Sequence, residues 1–239
     1  MKRSTVYVWH ARLNEVPSAQ NEYLWSLLAH DEKARANRFH SENHRRRFII
    51  ARGLLRRLAG YMLNQAPRTL QFNYTSYGKP VFKDYPRTHF NLSHSHDRAI
   101  YAFTLDAPVG VDIEYQNPQC YPERIARRFF TRREHAALQK LQEAEKIALF
   151  FKLWAGKEAV LKALGTGLSA RALAEVEFDL TKQSVFGQAL SADHHHRLKA
   201  AEWSLYTFNP AQDFVAALAL QAHPQYIEVQ SMDEPLRFY

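Results

Sequence analysis

The chain has 239 residues, 46% of them hydrophobic and 13% aromatic, enough for the core of one large or two smaller domains and too much for a mainly disordered chain. The apolar stretch after Met1-Lys2-Arg3 is broken by His10 and Arg12, and no later run reaches the ~20 apolar residues of a membrane helix, so a cytoplasmic protein with no membrane contact is expected. Its single cysteine, Cys120, excludes an internal disulfide, and a formal net charge of +8 favours a polyanionic partner.

In chain order, Thr5 to Trp9 alternates as a short strand. Between Asp31 and Arg57, nine Lys or Arg face only Asp31, Glu32 and Glu42. That field suits a nucleotide, a nucleic acid or an acidic protein, or is a solvated helical face. The spacing predicts a helix from about Asn43 to Asn64, with Phe48, Ile49, Ile50, Leu54, Leu55, Leu58 and Tyr61 on its buried side and Pro67 beyond its end. Tyr77-Gly78-Lys79-Pro80 is a turn by composition, followed by strands near His89–Ser93, Ala99–Leu105 and Val109–Tyr115.

Thr131 with Glu134 forms a capping-box pattern, and a longer helix runs from about Glu143 to Leu164 and stops at Gly165-Thr166-Gly167. Strands near Glu175–Asp179, Trp203–Phe208 and Phe214–Leu220 follow. His194-His195-His196 reads as a polar loop, because three adjacent side chains cannot easily share a metal. Arg38-Phe39 and Arg128-Phe129 both precede basic helix starts, an internal echo that divides the chain into residues 1–107 and 108–239.

Three groups of residues carry chemistry. In Gly110-Val111-Asp112-Ile113-Glu114 a strand period of two puts both carboxylates on one face, either as an ordinary polar face or around a cation. Glu158 falls on the aromatic side of the long helix with Phe151 and Trp154; it pairs with Lys162 at i+4 or completes a cation site with Asp112 and Glu114. Such a three-carboxylate set suits magnesium or manganese rather than zinc. In Asn91-Leu92-Ser93-His94-Ser95-His96, Ser93 and His94 are placed to bind phosphate oxygens, and His94 with His96 is the zinc alternative.

Taken in order, Tyr77-Gly78-Lys79-Pro80, Phe90-Asn91-Leu92-Ser93-His94-Ser95, Gly110-Val111-Asp112-Ile113-Glu114 and Trp154-x-x-Lys157-Glu158-Ala159-x-x-Lys162 resemble the 4′-phosphopantetheinyl transferase superfamily. The length resembles its larger, two-lobed surfactin-synthetase (Sfp) type. The resemblance implies an α+β fold of two similar lobes, a pseudo-duplication, with the site in the cleft between them. It also implies transfer of phosphopantetheine from coenzyme A to a serine of an apo carrier protein, releasing adenosine 3′,5′-bisphosphate.

By motif match, Asp112, Glu114 and Glu158 are expected to hold magnesium, with manganese as substitute, and Glu158 is the candidate base for the serine proton. Lys162 matches the lysine on the transferred phosphate. Ser93 and His94 match binders of the coenzyme A phosphates, Lys79 and Pro80 the turn at the adenine end. Arg47, Lys33 and Arg35 match groups at the 3′-phosphate. Lys157, about 100° round the helix from Glu158, is expected to face outward.

Ala155-Gly156 departs from relatives that carry Ser or Thr after the motif Trp. Tyr121, Arg124, Arg127, Arg128, Phe129 and Phe130 read as a docking surface for an acidic carrier protein, with one of the two phenylalanines assigned to the core. A monomer that binds no nucleic acid is expected. A nucleic-acid module and a metal-dependent hydrolase are the rival classes; the first leaves the carboxylates without a role, the second leaves the Gly-Lys-Pro turn without one.

Overall fold

The computed structural model describes residues 1–105, 107–178, 186–187, 189–191 and 203–232; the His194-His195-His196 segment lies outside the described residues. Strand β1 (Thr5–Arg12) is followed by helices α1 (Ser18–Leu27), α2 (His30–Ala36) and α3 (Glu42–Leu63). A hairpin of β2 (Phe72–Tyr74) and β3 (Pro80–Phe82) leads to β4 (Thr88–Ser95) and β5 (Arg98–Leu105). The second lobe opens with β6 (Val109–Tyr115), helices α4 (Pro122–Phe129), α5 (Arg132–Gln139), α6 (Glu143–Leu164) and α7 (Ala170–Glu175). Strands β7 (Val176–Phe178), β8 (Phe186–Gly187), β9 (Ala189–Ser191), β10 (Ser204–Phe208), β11 (Phe214–Leu220) and β12 (Tyr226–Ser231) follow.

Strands β5 and β11 are buried on both faces almost throughout, so their sheets require cover on both sides. One face of the first sheet places Trp9, Tyr101 and Phe103 against Ile50, Leu54 and Leu58 of α3. Its other face, Val6, Val8, Ile100 and Ala102, packs on Val109, Val111, Ile113 and Leu218 of the second sheet. The far side of that second sheet, Val215, Ala217 and Ala219, is covered by Ala155, Ala159 and Ala163 of α6. The result is helix, sheet, sheet, helix. It is an α+β fold of two similar lobes.

The sheets share a strand order as well as a layer plan. The first runs β12-β1-β5-β4 and the second β6-β11-β10-β8. In each, the lobe's opening strand lies beside its last long strand, which pairs with the strand before it. Strand β12 runs parallel to β1, with Thr5 opposite Tyr226 and His10 opposite Ser231, so the end of the described chain returns to the first sheet.

Helix α6 lies directly on β6 because Gly110 has no side chain. A Cβ there would sit 1.9 Å from the Ala159 carbonyl oxygen and 2.4 Å from the Ala163 nitrogen. Gly156 has a packing reason: a Cβ would approach the Phe178 ring to 3.1 Å. The predicted stripe of α3 needs one correction. Tyr61 is 57% exposed, because from Leu55 the buried face passes through Leu58 and Ala59 to Met62.

Candidate active site

Period-two geometry explains how the carboxylates are held. Gly110, Asp112 and Glu114 share one face of β6, so the glycine that admits α6 also aims both acids at that helix. Glu158 and Lys162, at i and i+4 on α6, meet them there. Oxygens of Asp112, Glu114 and Glu158 converge to within 4.8 Å of one another. Lys162 Nζ lies 3.2 Å from Glu158 Oε2, donates to Ser93 Oγ at 3.0 Å and contacts Asp112 Oδ1.

Strand β4 approaches β6 through side chains instead of a backbone ladder. Asn91 Oδ1 accepts from the Val111 N–H at 2.9 Å and Ser93 Oγ donates to Asp112 Oδ1 at 2.7 Å. Ser95 Oγ donates to Glu114 Oε2 at 3.0 Å while accepting from the Tyr115 N–H at 3.2 Å. Asn91, Ser93 and Ser95 are every second residue, so one face of β4 reads one stretch of β6. Trp154 Nε1 completes the set by donating to Glu114 Oε1 at 3.2 Å. Sequence reasoning missed the roles of Ser95, Trp154 and Asn91; the shared i, i+2 spacing of Ser93/Ser95 and Asp112/Glu114 was the signal for the first.

The electrostatics call for a cation. Burial, then Asp112 and Glu158, push the Glu114 carboxyl up to about 7. Burial and Asp112 also raise Glu158, against Lys162. Burial works to lower Lys162, but Asp112 and Glu158 raise it overall. Asp112 is 1% exposed, and its Oδ2 is buried with no hydrogen-bond partner. An orphaned carboxylate oxygen among three converging carboxylates fits a hard divalent cation, which takes oxygen ligands. His94 and His96 are not part of this cluster, and His96 stacks on Tyr115 at 5.2 Å, which removes the zinc alternative among the described residues.

Beside this cluster, reached through Ser93 and Lys162, lies a cleft of about 830 Å³ that runs to α2 and α3, where Asp31 and Glu32 also line it. Arg35, Arg38, Pro80, Ser93, His94 and Lys162 border it, with Phe39 and Phe48 supplying apolar wall. Arg38 was not singled out by sequence, although it belongs to the basic segment. The His94 ring is open to solvent at the cleft, yet its crowded surroundings lower its pKa, first by desolvation and then through Lys162, Arg35 and Arg47.

The remaining predicted residues lie off this wall. Arg47 Nε donates to Asn14 Oδ1 at 3.2 Å, and Lys33 Nζ sits 5.6 Å from the Trp25 ring centre. Lys79 donates to the carbonyls of Val109 and Ala163, each at 3.1 Å, so the turn meets the cleft through Gly78 and Pro80.

Lys157 overturns its expectation. It is fully buried, 2.8 Å from Glu134 Oε2, and donates to the carbonyls of Leu173 and Val176. The outward reading failed because α6 is covered on a second side by α5, α7 and β7. In the predicted docking surface Tyr121 is 79% exposed and Arg124, Arg127 and Arg128 are open to solvent. Phe130 is core, stacked on Phe150 at 5.3 Å, while Phe129 meets the Trp154 ring edge-on at 5.6 Å.

Comparison with known proteins gives two family-model matches: 4′-phosphopantetheinyl transferase superfamily over residues 108–219, and 4′-phosphopantetheinyl transferase, N-terminal, over residues 16–105. The chain is 38% identical over 219 residues to the 4′-phosphopantetheinyl transferase HetI of Nostoc sp., covering 90% of this chain and 87% of that one. It is 31% identical over 223 residues to the 4′-phosphopantetheinyl transferase psf-1 of Bacillus pumilus, covering 91% and 90%. With the 4′-phosphopantetheinyl transferase Sfp of Bacillus subtilis it shares 32% over 150 residues, 63% of this chain and 66% of that one.

Proposed function

This chain belongs to the 4′-phosphopantetheinyl transferase superfamily, and from that premise we propose how its own residues perform the transfer. The phosphopantetheine group passes from coenzyme A to a serine of an apo acyl or peptidyl carrier protein. The serine oxygen bonds to the phosphorus of the phosphopantetheine phosphate, the bridging P–O bond breaks, and adenosine 3′,5′-bisphosphate leaves. The observation that carries the site assignment is the orphaned Asp112 Oδ2, within a triad of convergent carboxylates whose partners Ser93 and Lys162 border the cleft.

Asp112, Glu114 and Glu158 would hold magnesium, or manganese in its place, which when bound would neutralise charge at the pyrophosphate. Ser95 and Trp154 fix the two oxygens of Glu114, and Ser93 fixes Asp112, so the carboxylates are oriented before any ligand arrives. Lys162 carries its positive charge to the transferred phosphate and stabilises the charge that develops there. His94 donates to the coenzyme A phosphates, and Ser93, which borders the cleft, does so once its hydroxyl hydrogen turns from Asp112 to the bound ligand. Glu158, whose pKa burial and Asp112 raise, accepts the serine proton directly or through water.

Arg35 and Arg38 grip the 3′-phosphate end, with Arg47 and Lys33 adding to the field, while Gly78 and Pro80 hold the adenine side. The carrier docks on α4, where Tyr121, Phe129 and the exposed arginines suit an acidic helix. The unit acts as a monomer in the cytoplasm, without nucleic acid, and its lobes divide between residues 107 and 108 except that β12 returns to the first sheet. Among the described residues no helix is long and apolar enough to cross a membrane.

Incubation with coenzyme A, magnesium and an apo carrier protein tests the reading. The carrier is expected to gain the mass of one phosphopantetheine on its serine, and no gain under any divalent metal would remove the proposal. Omission of metal with chelator should stop the reaction; an unchanged rate would remove the metal from the site.

A further inference from the structure

We propose that Lys79 is an inter-lobe clasp: a positioning residue that locks the cleft-lining turn of the first lobe to the helix and strand bearing the carboxylates of the second. Its ammonium spans two main-chain carbonyls of the other lobe, Val109 at the start of β6 and Ala163 in the last turn of α6, each at 3.1 Å. The second is among the last four carbonyls of a helix, which have no intrahelical partner, and a cation there also complements the helix dipole. Burial pushes the Lys79 amine down to about 8, so these acceptors are what its charge has in return.

The turn is built to present this side chain. The Lys79 N–H donates to Thr75 Oγ1 at 3.1 Å, the Thr75 N–H to the Lys79 carbonyl at 2.9 Å, and the Gly78 N–H to the Thr75 carbonyl at 2.9 Å. Gly78 has a φ of +79°, open to glycine without cost. Opposite it, the sequence Gly165-Thr166-Gly167 is shaped to receive the turn. Gly165 and Gly167 have φ of +70° and +78°. A Cβ on Gly167 would come within 2.8 Å of the Tyr77 ring, and one on Gly165 would lie 3.6 Å from Lys79 Cδ.

The two glycine turns therefore interlock across the lobe boundary. One side of the first turn, Gly78 and Pro80, borders the cleft with Ser93 and Lys162. Its other side grips the residue directly after Lys162 and a residue three before Asp112. The clasp thus fixes the distance between the cleft wall and the groups that act on the phosphate. A serine nucleophile and a pyrophosphate need this alignment held within a fraction of an ångström.

Only the kinetic arm of the test rests on the proposed transfer. Lys79→Met is expected to raise KM for coenzyme A about tenfold, the effect of losing a charge-assisted hydrogen bond, and to raise it equally for dephospho-coenzyme A. Gly167→Ala, which removes no charge, should reproduce that pattern, and Lys79→Arg should restore most of it.

Amide hydrogen exchange on the free protein supplies the independent arm. Either Lys79→Met or Gly167→Ala should speed exchange in residues 75–80 and 163–168 together while leaving 48–60 unchanged. Unchanged exchange at 163–168 in both variants overturns the clasp. So does a KM effect that falls on coenzyme A but spares dephospho-coenzyme A, which would put Lys79 on the 3′-phosphate. Coupled exchange in a protein that transfers nothing would leave the clasp standing and remove the transfer reading alone.

Discussion

The two lobes use the same internal clamp. In the first, Glu32, third residue of α2, caps its own helix through the Ala29 N–H at 2.8 Å and takes Arg56 Nε at 2.6 Å. In the second, Glu134, third residue of α5, caps through the Thr131 N–H at 2.9 Å and takes Lys157 at 2.8 Å. Arg56 and Lys157 occupy the same position of two 22-residue helices. Each also donates to two carbonyls of the segment after its helix, Pro67 and Leu70 in one lobe, Leu173 and Val176 in the other. Even the neighbouring ring is repeated, Phe72 at 5.0 Å and Phe178 at 5.8 Å.

Chemistry separates what the clamp makes alike. Where β6 turns Asp112 and Glu114 toward its helix, β1 turns Trp9 and Ala11, which are buried core. One residue and five residues past the clamp, α6 has Glu158 and Lys162, whereas α3 has Arg57 and Tyr61. The scaffold was kept in both copies, while polar groups between helix and sheet were admitted in one. A duplicated fold can therefore divide its work, one lobe holding carboxylates and the other supplying cations from α2.

The sharpest break of this comparison removes the chemistry and keeps the scaffold. Asp112→Ala or Glu158→Ala should lower the transfer rate by about 10³-fold or more with the circular dichroism spectrum retained. A near-normal rate in either would dissolve the contrast between lobes. Next comes the clamp. Lys157→Met leaves Glu134 buried without its cation and should cost about 3–5 kcal/mol in urea unfolding. Arg56→Met should cost less, because Glu32 keeps Arg52, a second close partner in the same lobe. The double change Glu134→Gln with Lys157→Met should recover most of the loss.

A smaller effect tests the price of the carboxylate cluster. The folded pKa of Glu114, about 7, lies above its unfolded value near 4.5. Its contribution to stability is thus present below pH 4.5 and is lost as the pH rises through 7. Metal-free Glu114→Gln should accordingly be more stable than the parent at pH 8, by about 3 kcal/mol, and equal to it near pH 4. Thermal unfolding at the two pH values checks the sign. Smallest of all, Arg35→Ala should raise KM for coenzyme A about tenfold and for dephospho-coenzyme A less, with Arg47→Ala giving the same preference at about threefold. Equal losses for both ligands would take these arginines off the 3′-phosphate.

Local pattern determined much of this protein. The bounds of α6 and β11, the capping box at Thr131, and the shared face of Asp112 and Glu114 follow from periods of 3.6 and two and from side-chain capping, which act within a few residues. The short helix α1 and the exposed strand β12 were not legible, since they have little apolar periodicity and owe their form to what they pack or pair with, and α2 and α4 span only seven and eight residues, too short for their pattern to stand out.

Tertiary structure alone decided the rest. It turned Lys157 inward, because Glu134, twenty-three positions away, neutralises it. It sent Lys79 across the lobe boundary to carbonyls that no sequence window connects to it. It also joined Ser95 to Glu114 and Ser93 to Asp112 by laying two sheet edges side by side. Sequence period fixes which way a side chain points within its own element; which partner it finds depends on where the other elements come to rest.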